Sequence, residues 1–214
     1  NDNSYPDVYN VMRLLENHDV DRFLTKAPKD LNAYKQAVTV LLTVPGIPQL
    51  FYGQEFLFSG TTQEFGFEGI RPDMPGGWKE DTVSLFTEEG RSPMQQEAFS
   101  FMQKLLQWRK GNEVVSKGSM KHFMPRNNVY VYQREYKGKS FIVVMNGVSQ
   151  ESELPLDHYQ EILKDKPFGT DVISGRKVLL KESLKLAPKE VLVLELRRVG
   201  NFASQAYEKE KMYR

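Results

Sequence analysis

The sequence predicts an α/β first half joined to an all-β second half. Up to about residue 110, apolar runs that stop at polar clusters alternate with helical apolar stripes. From about Val114 the apolar period changes from 3.6 to 2. Beyond that point, short β-rich runs are separated by regular turn signals, the mark of an antiparallel sandwich or barrel.

The first element is Val8 to Leu15. It is mostly apolar and ends at Glu16-Asn17-His18-Asp19, as a buried parallel strand with a polar carboxyl-terminal tip would. A helix follows, with Asp30 as N-cap and Leu31, Tyr34, Ala37, Val38, Leu41 and Leu42 as its apolar stripe; Pro45 and Gly46 stop it. A second strand, Ile47 to Tyr52, again ends in a polar tip, Gly53-Gln54-Glu55. Pro48 falls near its start, where a missing N–H costs least. Residues 56–90 are rich in Gly, Pro and aromatics and form a loop too long to be a mere connector. Ser92, Pro93 and Gln95 then spell a capping box at a helix start. Met94, Ala98, Phe101, Leu105 and Trp108 form its predicted buried stripe, and Gly111 closes it.

In the second half, Val129–Tyr136 and Ser140–Met145 flank Lys137-Gly138-Lys139 as a hairpin. Asp171–Ile173 and Lys177–Leu180 flank Ser174-Gly175 as another, and Val191–Leu196 is a final apolar strand. The domain boundaries expected are 1–112, 113–199 and a tail, 200–214, without a useful pattern.

Composition excludes several function classes. Of the 214 residues, 29 are Lys or Arg and 28 Asp or Glu, a net charge of +1 that argues against a nucleic-acid or anionic-membrane partner. No apolar run approaches the ~18–20 residues of a membrane-spanning helix, so no membrane insertion is expected. Hydrophobic residues at 40 % and aromatics at 12 % suffice for a true core. The absence of cysteine removes disulfides, thiolate metal sites and cysteine nucleophiles. His18, His122 and His158 are too dispersed for metal-ligand spacing, and no metal site or cofactor is evident. No Gly-rich phosphate loop occurs. Two strand–helix units are only two of the eight in a (β/α)8 barrel, which takes about 250 residues. The chain is therefore expected to be the C-terminal part of a larger protein, with the missing N-terminal part as its partner.

The cluster with most chemical content is Glu16-Asn17-His18-Asp19 at the predicted strand's tip, with the tripeptide Asn17-His18-Asp19 at its centre. A neutral His beside an ionised Asp can bind vicinal hydroxyls, one donating and the other accepting. An Asp can also stabilise positive charge developing on a sugar ring. The competing reading is a polar turn with local caps, and the tripeptide alone does not choose between them.

In combination the segments are more specific. Leu14-Leu15-Glu16-Asn17-His18-Asp19, then Pro45-Gly46-Ile47-Pro48-Gln49-Leu50-Phe51-Tyr52-Gly53-Gln54-Glu55, closely resemble the blocks at the seventh and eighth barrel strands of the α-amylase family of glycoside hydrolases. Ile70-Arg71-Pro72-Asp73-Met74-Pro75-Gly76-Gly77-Trp78 is similar to the loop after the eighth strand, in a form most like the neopullulanase and cyclomaltodextrinase branch of the starch-utilisation type. The resemblance implies the last two strand–helix units of the catalytic (β/α)8 TIM barrel, followed by a C-terminal antiparallel β-sandwich domain.

It also implies roles. Asp19 would be the transition-state-stabilising carboxylate, His18 its partner in the subsite of the reacting glucose, and Asn17 a residue that positions the turn. Arg71 and Trp78 would line the glucan cleft; Phe65 and Phe67 invite the same reading. Tyr52 and Glu55 would order the strand tip. The implied reaction is retaining cleavage of α-1,4 bonds in pullulan, cyclodextrins or maltooligosaccharides. A retaining glycosidase needs a nucleophile and an acid/base carboxylate about 5–5.5 Å apart, and no segment here resembles either block. Pairs such as Glu64/Glu68 or Glu88/Glu89 read as surface loop charges. The chain alone is thus expected to be inactive. The alternative is a non-catalytic glucan-binding or accessory protein of the same ancestry. Calcium in the full-length protein, and a periplasmic or secreted location, rest on resemblance only.

Overall fold

In the computed structural model, which describes residues 4–26 and 30–198, the chain divides into two compact units, Asn1–Gly111 and Asn112–Arg214. The expected tail, residues 200–214, lies outside the described residues.

The first unit contains β1 (Met12–Arg13), α1 (Phe23–Lys26), α2 (Leu31–Thr43), β2 (Ile47–Pro48), α3 (Thr62–Phe65) and α4 (Pro93–Arg109). β1 and β2 are parallel, with Met12 opposite Ile47 and Arg13 opposite Pro48. Both strands are shorter than the sequence predicts. Residues Val8–Asn10 curl into a 3-10 turn because Asp7 accepts from the Tyr9 amide, so the apolar run enters the ladder only at Met12. After Gln49, whose amide donates to the Arg13 carbonyl, the backbone turns away at Phe51–Gln54. Ile47 and Gln49 point their amides at β1, so Pro48 between them faces the other edge and its missing N–H costs no ladder bond.

α2 forms as expected. The Asp30 side chain accepts from Ala33 N, and Tyr34, Val38, Leu41 and Leu42 are buried. α4 carries the full capping box, Ser92 Oγ to Gln95 N and Gln95 Oε1 to Ser92 N. Its buried stripe is Ala98, Phe101, Met102 and Leu105. Met94, expected in that stripe, is exposed: it lies one turn earlier and lines an open cavity beside Leu31 and Phe56. Trp108 is half-buried. Arg109 joins the helices by donating to the Leu42 and Gly46 carbonyls at the end of α2. The 56–90 loop is less irregular than expected, since Thr61 caps α3 and Gly66–Ile70 forms a 3-10 turn.

The second unit begins with a short helix that the period-2 reading missed, α5 (Glu113–Lys117), capped by Asn112. Then come β3 (Ser119–His122), β4 (Val129–Tyr136), β5 (Lys139–Asn146), β6 (Ser152–Pro155), α6 (Gln160–Leu163), β7 (Phe168–Asp171), β8 (Lys177–Leu179), β9 (Ser183–Leu186) and β10 (Val191–Arg197). Six strands form one antiparallel sheet in the order β3-β4-β5-β10-β7-β8, and β6 pairs with β9 as a separate ribbon. The β4–β5 hairpin closes through Lys137 and Gly138, both with positive φ (49° and 76°), which makes the two-residue turn whose twist suits antiparallel strands. Val129, Val131, Ile142, Val144, Leu192 and Leu194 from the sheet pack with Leu154, Leu184 and Leu186 from the ribbon and with Tyr159, Ile162 and Leu163 around α6. This is a two-layer antiparallel domain with one core. The sequence reading had no signal for α6, because its four residues are fewer than two full turns of a periodic stripe.

Truncating the centre of that core should be costly. Leu194→Ala is expected to lower the stability of the second unit by about 2–5 kcal/mol. Met124→Ala, at a side chain 80 % exposed, should change it by less than about 0.5 kcal/mol. Urea titration of both variants checks the contrast; equal midpoints would contradict the assigned core.

Candidate functional site

Because β1 and β2 run in parallel, the loops that leave them emerge at the same edge. That edge gathers Glu16, Asp19, Arg22 and Arg71.

At the root of the loop after β1, Arg22 and Glu16 are both buried and paired at 2.8 Å. The second oxygen of Glu16 accepts from the Phe23 amide at 2.7 Å. Arg22 also donates from Nη1 to the Tyr52 carbonyl (2.6 Å) and from Nε to the Ile70 carbonyl (2.9 Å). Its guanidinium lies over the Phe51 ring, 4.0 Å from the centroid. One side chain thus ties together the loop after β1, the loop after β2 and the start of the 70–78 segment.

At the tip of the same loop, Asn17 Oδ1 accepts from the Asp19 amide at 2.8 Å, a local turn that fixes the backbone. His18 Nε2 lies 3.1 Å from one oxygen of Asp19, and Arg71 Nη2 lies 3.3 Å from the other. Arg71 also grips the His18 carbonyl with Nε (2.9 Å) and Nη2 (2.6 Å), and its guanidinium sits 4.6 Å from the centre of the Phe67 ring. The Tyr52 hydroxyl donates to the Pro72 carbonyl at 2.9 Å, which brings the second strand's tip to the Arg71 segment. The Asp19 side chain remains 57 % exposed.

The structure therefore joins three of the five residues singled out in sequence: His18, Asp19 and Arg71. Asn17 is the turn cap beneath them. Trp78 stands apart: among the described residues, no hydrogen bond, ion pair or ring contact links it to the cluster. Its ring is 64 % exposed, on a turn pinned by Asp81, whose carboxylate accepts from the Gly76 and Trp78 amides at 2.7 and 3.1 Å. Gly76 has φ +95°, and a Cβ there would meet Ser84 Oγ at 2.2 Å, so only glycine makes this turn. Phe65 and Phe67 are exposed. So are Glu68, Glu88 and Glu89.

Sequence reasoning gave Arg22 and Glu16 no role. A buried ion pair six residues apart with no helical spacing leaves no periodic trace. The available hint was two opposite charges bracketing a polar tip between apolar runs. Chemically, Asp19 is a carboxylate held at an open surface by one permanent cation and one imidazole. Such a group can accept hydrogen bonds from vicinal hydroxyls or face a developing cation. Among the described residues, no group of three or more His, Asp or Glu side chains gathers to hold a metal ion.

Beneath the cluster lies a less satisfied layer. Among the described residues, Arg22 Nη2, Tyr34 Oη, Gln49 Oε1 and both amide atoms of Gln54 are buried without a protein partner. Burial raises the Tyr34 hydroxyl above its ordinary range. Burial likewise raises the Glu55 carboxyl above its ordinary 4.5, against smaller opposing effects of backbone amides and Arg22.

Comparison with known proteins places these segments. A family model described as the cyclo-malto-dextrinase C-terminal domain matches residues 120–195. The chain is 30 % identical over 180 residues to a cyclomaltodextrin glucanotransferase of Bacillus sp. strain 6.6.3, covering 80 % of this chain and 22 % of that protein. It is 30 % identical over 161 residues to a cyclomaltodextrinase of Thermoanaerobacter pseudethanolicus, covering 73 % and 25 %. The chain thus spans a quarter or less of these curated relatives. The solved α-amylase of Geobacillus thermoleovorans, complexed with acarbose, superposes with a TM-score of 0.68 at 21 % identity, over 89 % of this chain and 40 % of that one; at that identity the likeness speaks for the fold alone.

The Glu55 environment has a pH signature. Between 4.5 and its raised value, the folded state holds more protons at Glu55 than the unfolded state does, so stability falls as pH rises through that window. Glu55→Gln should remove this slope and raise the melting temperature at neutral pH relative to pH 4. Melting curves from pH 4 to 8 check it; an unchanged slope would mean that the carboxyl is not desolvated.

Proposed function

We propose that the chain is the C-terminal part of an α-amylase-family enzyme and that Asp19 is the carboxylate that steadies the oxocarbenium-like transition state of a retaining α-glucan hydrolase. The single observation that carries this reading is the geometry around Asp19: an exposed carboxylate flanked by His18 and Arg71, at the edge where both parallel strands end. In barrels that edge carries the active site.

In this reading residues 1–112 are the last two strand–helix units of a (β/α)8 barrel, and 113–199 are the C-terminal β-sandwich domain. Exposure of Met12 (60 %) and Ile47 (52 %) on a two-stranded parallel sheet supports it, since parallel sheets are covered on both faces in complete folds. The nucleophile and the acid/base are supplied by the remainder of the protein, so the chain alone is inactive. The substrates are α-1,4-linked glucans such as pullulan, cyclodextrins or maltooligosaccharides, as in neopullulanases and cyclomaltodextrinases.

Mechanistically, the reacting glucose would place hydroxyls against Asp19 and His18. Arg71, by donating to the His18 carbonyl and to Asp19, holds both at fixed positions. As the ring turns cationic, a fixed negative charge already oriented toward it needs no reorganisation. Trp78, rigidly presented on its glycine turn, would offer a flat face to a more distant sugar.

In the full-length enzyme, Asp19→Asn preserves shape and removes charge. Its kcat on maltooligosaccharides should fall by about 10²-fold or more with the melting temperature unchanged. Near-normal turnover would remove Asp19 from the mechanism and favour a glucan-binding, non-catalytic role for this edge. The isolated chain should release no reducing sugar from any α-glucan; measurable hydrolysis would place a complete carboxylate set within it.

A further inference from the structure

We propose that Arg22 is a positioning residue for Asp19, acting from the buried layer beneath it. The inference rests on the reading of Asp19 given above and adds a second residue to it.

Asp19 is held from two directions, and both lead back to one guanidinium. From the amino-terminal side, the loop that carries Asn17, His18 and Asp19 is rooted by Glu16. Both Glu16 oxygens are engaged, one by Arg22 and the other by the Phe23 amide. From the opposite side, Arg71 grips the His18 carbonyl and the Asp19 carboxylate. The residue before Arg71 is Ile70, whose carbonyl accepts from Arg22 Nε. The path from Glu16 through Arg22, Ile70 and Arg71 to Asp19 therefore closes a ring of contacts around the exposed carboxylate. Arg22 also holds the Tyr52 carbonyl, while the Tyr52 hydroxyl holds Pro72, just past Arg71. The Arg71 segment is fixed on both sides of its guanidine-bearing residue.

The chemistry requires arginine. Three acceptors lie in different directions, and a planar fork stacked on Phe51 reaches all of them without moving. A lysine would keep the charge but offers one nitrogen to the same three oxygens. Its loss of reach would free Ile70, and with it the Arg71 grip. A fixed carboxylate matters most where positive charge develops, so loosening it should cost more in the transition state than in ground-state binding.

The test is a double-mutant cycle in the full-length enzyme with maltooligosaccharide substrate. Arg22→Lys should lower kcat by at least about tenfold while KM changes less than about threefold. In the Asp19→Asn background the same substitution should cost less than about threefold, because the group being positioned is gone. Equal losses in both backgrounds would overturn the inference and leave Arg22 a purely structural residue. If Asp19→Asn itself turns over normally, the reading of Asp19 fails first and the inference falls with it. Should Arg22→Lys not fold, Glu16→Gln carries the same cycle, since it retains the side-chain volume and removes one of the two acceptors. Coupling to Asp19→Asn is again the expected result, and additivity overturns it.

Discussion

The buried pair of Arg22 and Glu16 is the constraint on which the first unit's edge depends. Removing two charges from water is expensive, and their attraction compensates only when geometry is good and the remaining donors and acceptors are met. Here Glu16 has both oxygens engaged, and Arg22 spends Nε and Nη1 on three acceptors while its face rests on an aromatic ring, leaving Nη2 buried without a protein partner. A packed apolar pair of similar volume could be equally stable. It could not fix the carbonyls of Tyr52 and Ile70, and so could not set where the loops that leave them go. Stability and geometry are separable demands, and this pair answers the second.

That rigid base explains how an exposed group can be well placed. Surface ion pairs contribute little to stability because solvent screens them and long side chains lose entropy in forming them. The contact between Arg71 and Asp19 is of that kind, and its value lies in position. Arg71 is held through its neighbours and through the Phe67 ring, so its fork is already aligned when it meets His18 and Asp19. Trp78 shows the same economy in another form, an exposed ring on a turn fixed by Asp81 and by a glycine that admits no side chain.

Much of this was legible in sequence, and the failures have physical causes. Helix caps were read correctly because they depend on local chemistry: Asp30 and Ser92 with Gln95 perform the roles their residue types suggest. The β4–β5 hairpin was legible for the same reason. Strand lengths were not, because a ladder needs a partner; Val8–Asn10 is apolar enough for a strand, yet the Asp7 carboxylate claims its backbone first. Met94 was misplaced because helical periodicity assigns a face and is silent on where the neighbour ends. Of the candidate site, His18, Asp19 and Arg71 could be named from spacing and resemblance. Arg22 could not, since its partners lie at Glu16, Tyr52 and Ile70, and no one-dimensional pattern joins such positions.

The strand order of the second unit has a consequence for its biogenesis. β10, last of the strands among the described residues, lies between β5 and β7 in the middle of the sheet. Hairpins such as β4–β5 can zip as soon as they leave the ribosome, but the two halves of the sheet stay unjoined until residue 197 has emerged. Until then, the flanks of β5 and β7 that β10 will cover are bare, backbone donors and acceptors included. The nascent domain therefore passes through an open state whose unpaired strand edges are exposed until its own final strand takes the slot between them.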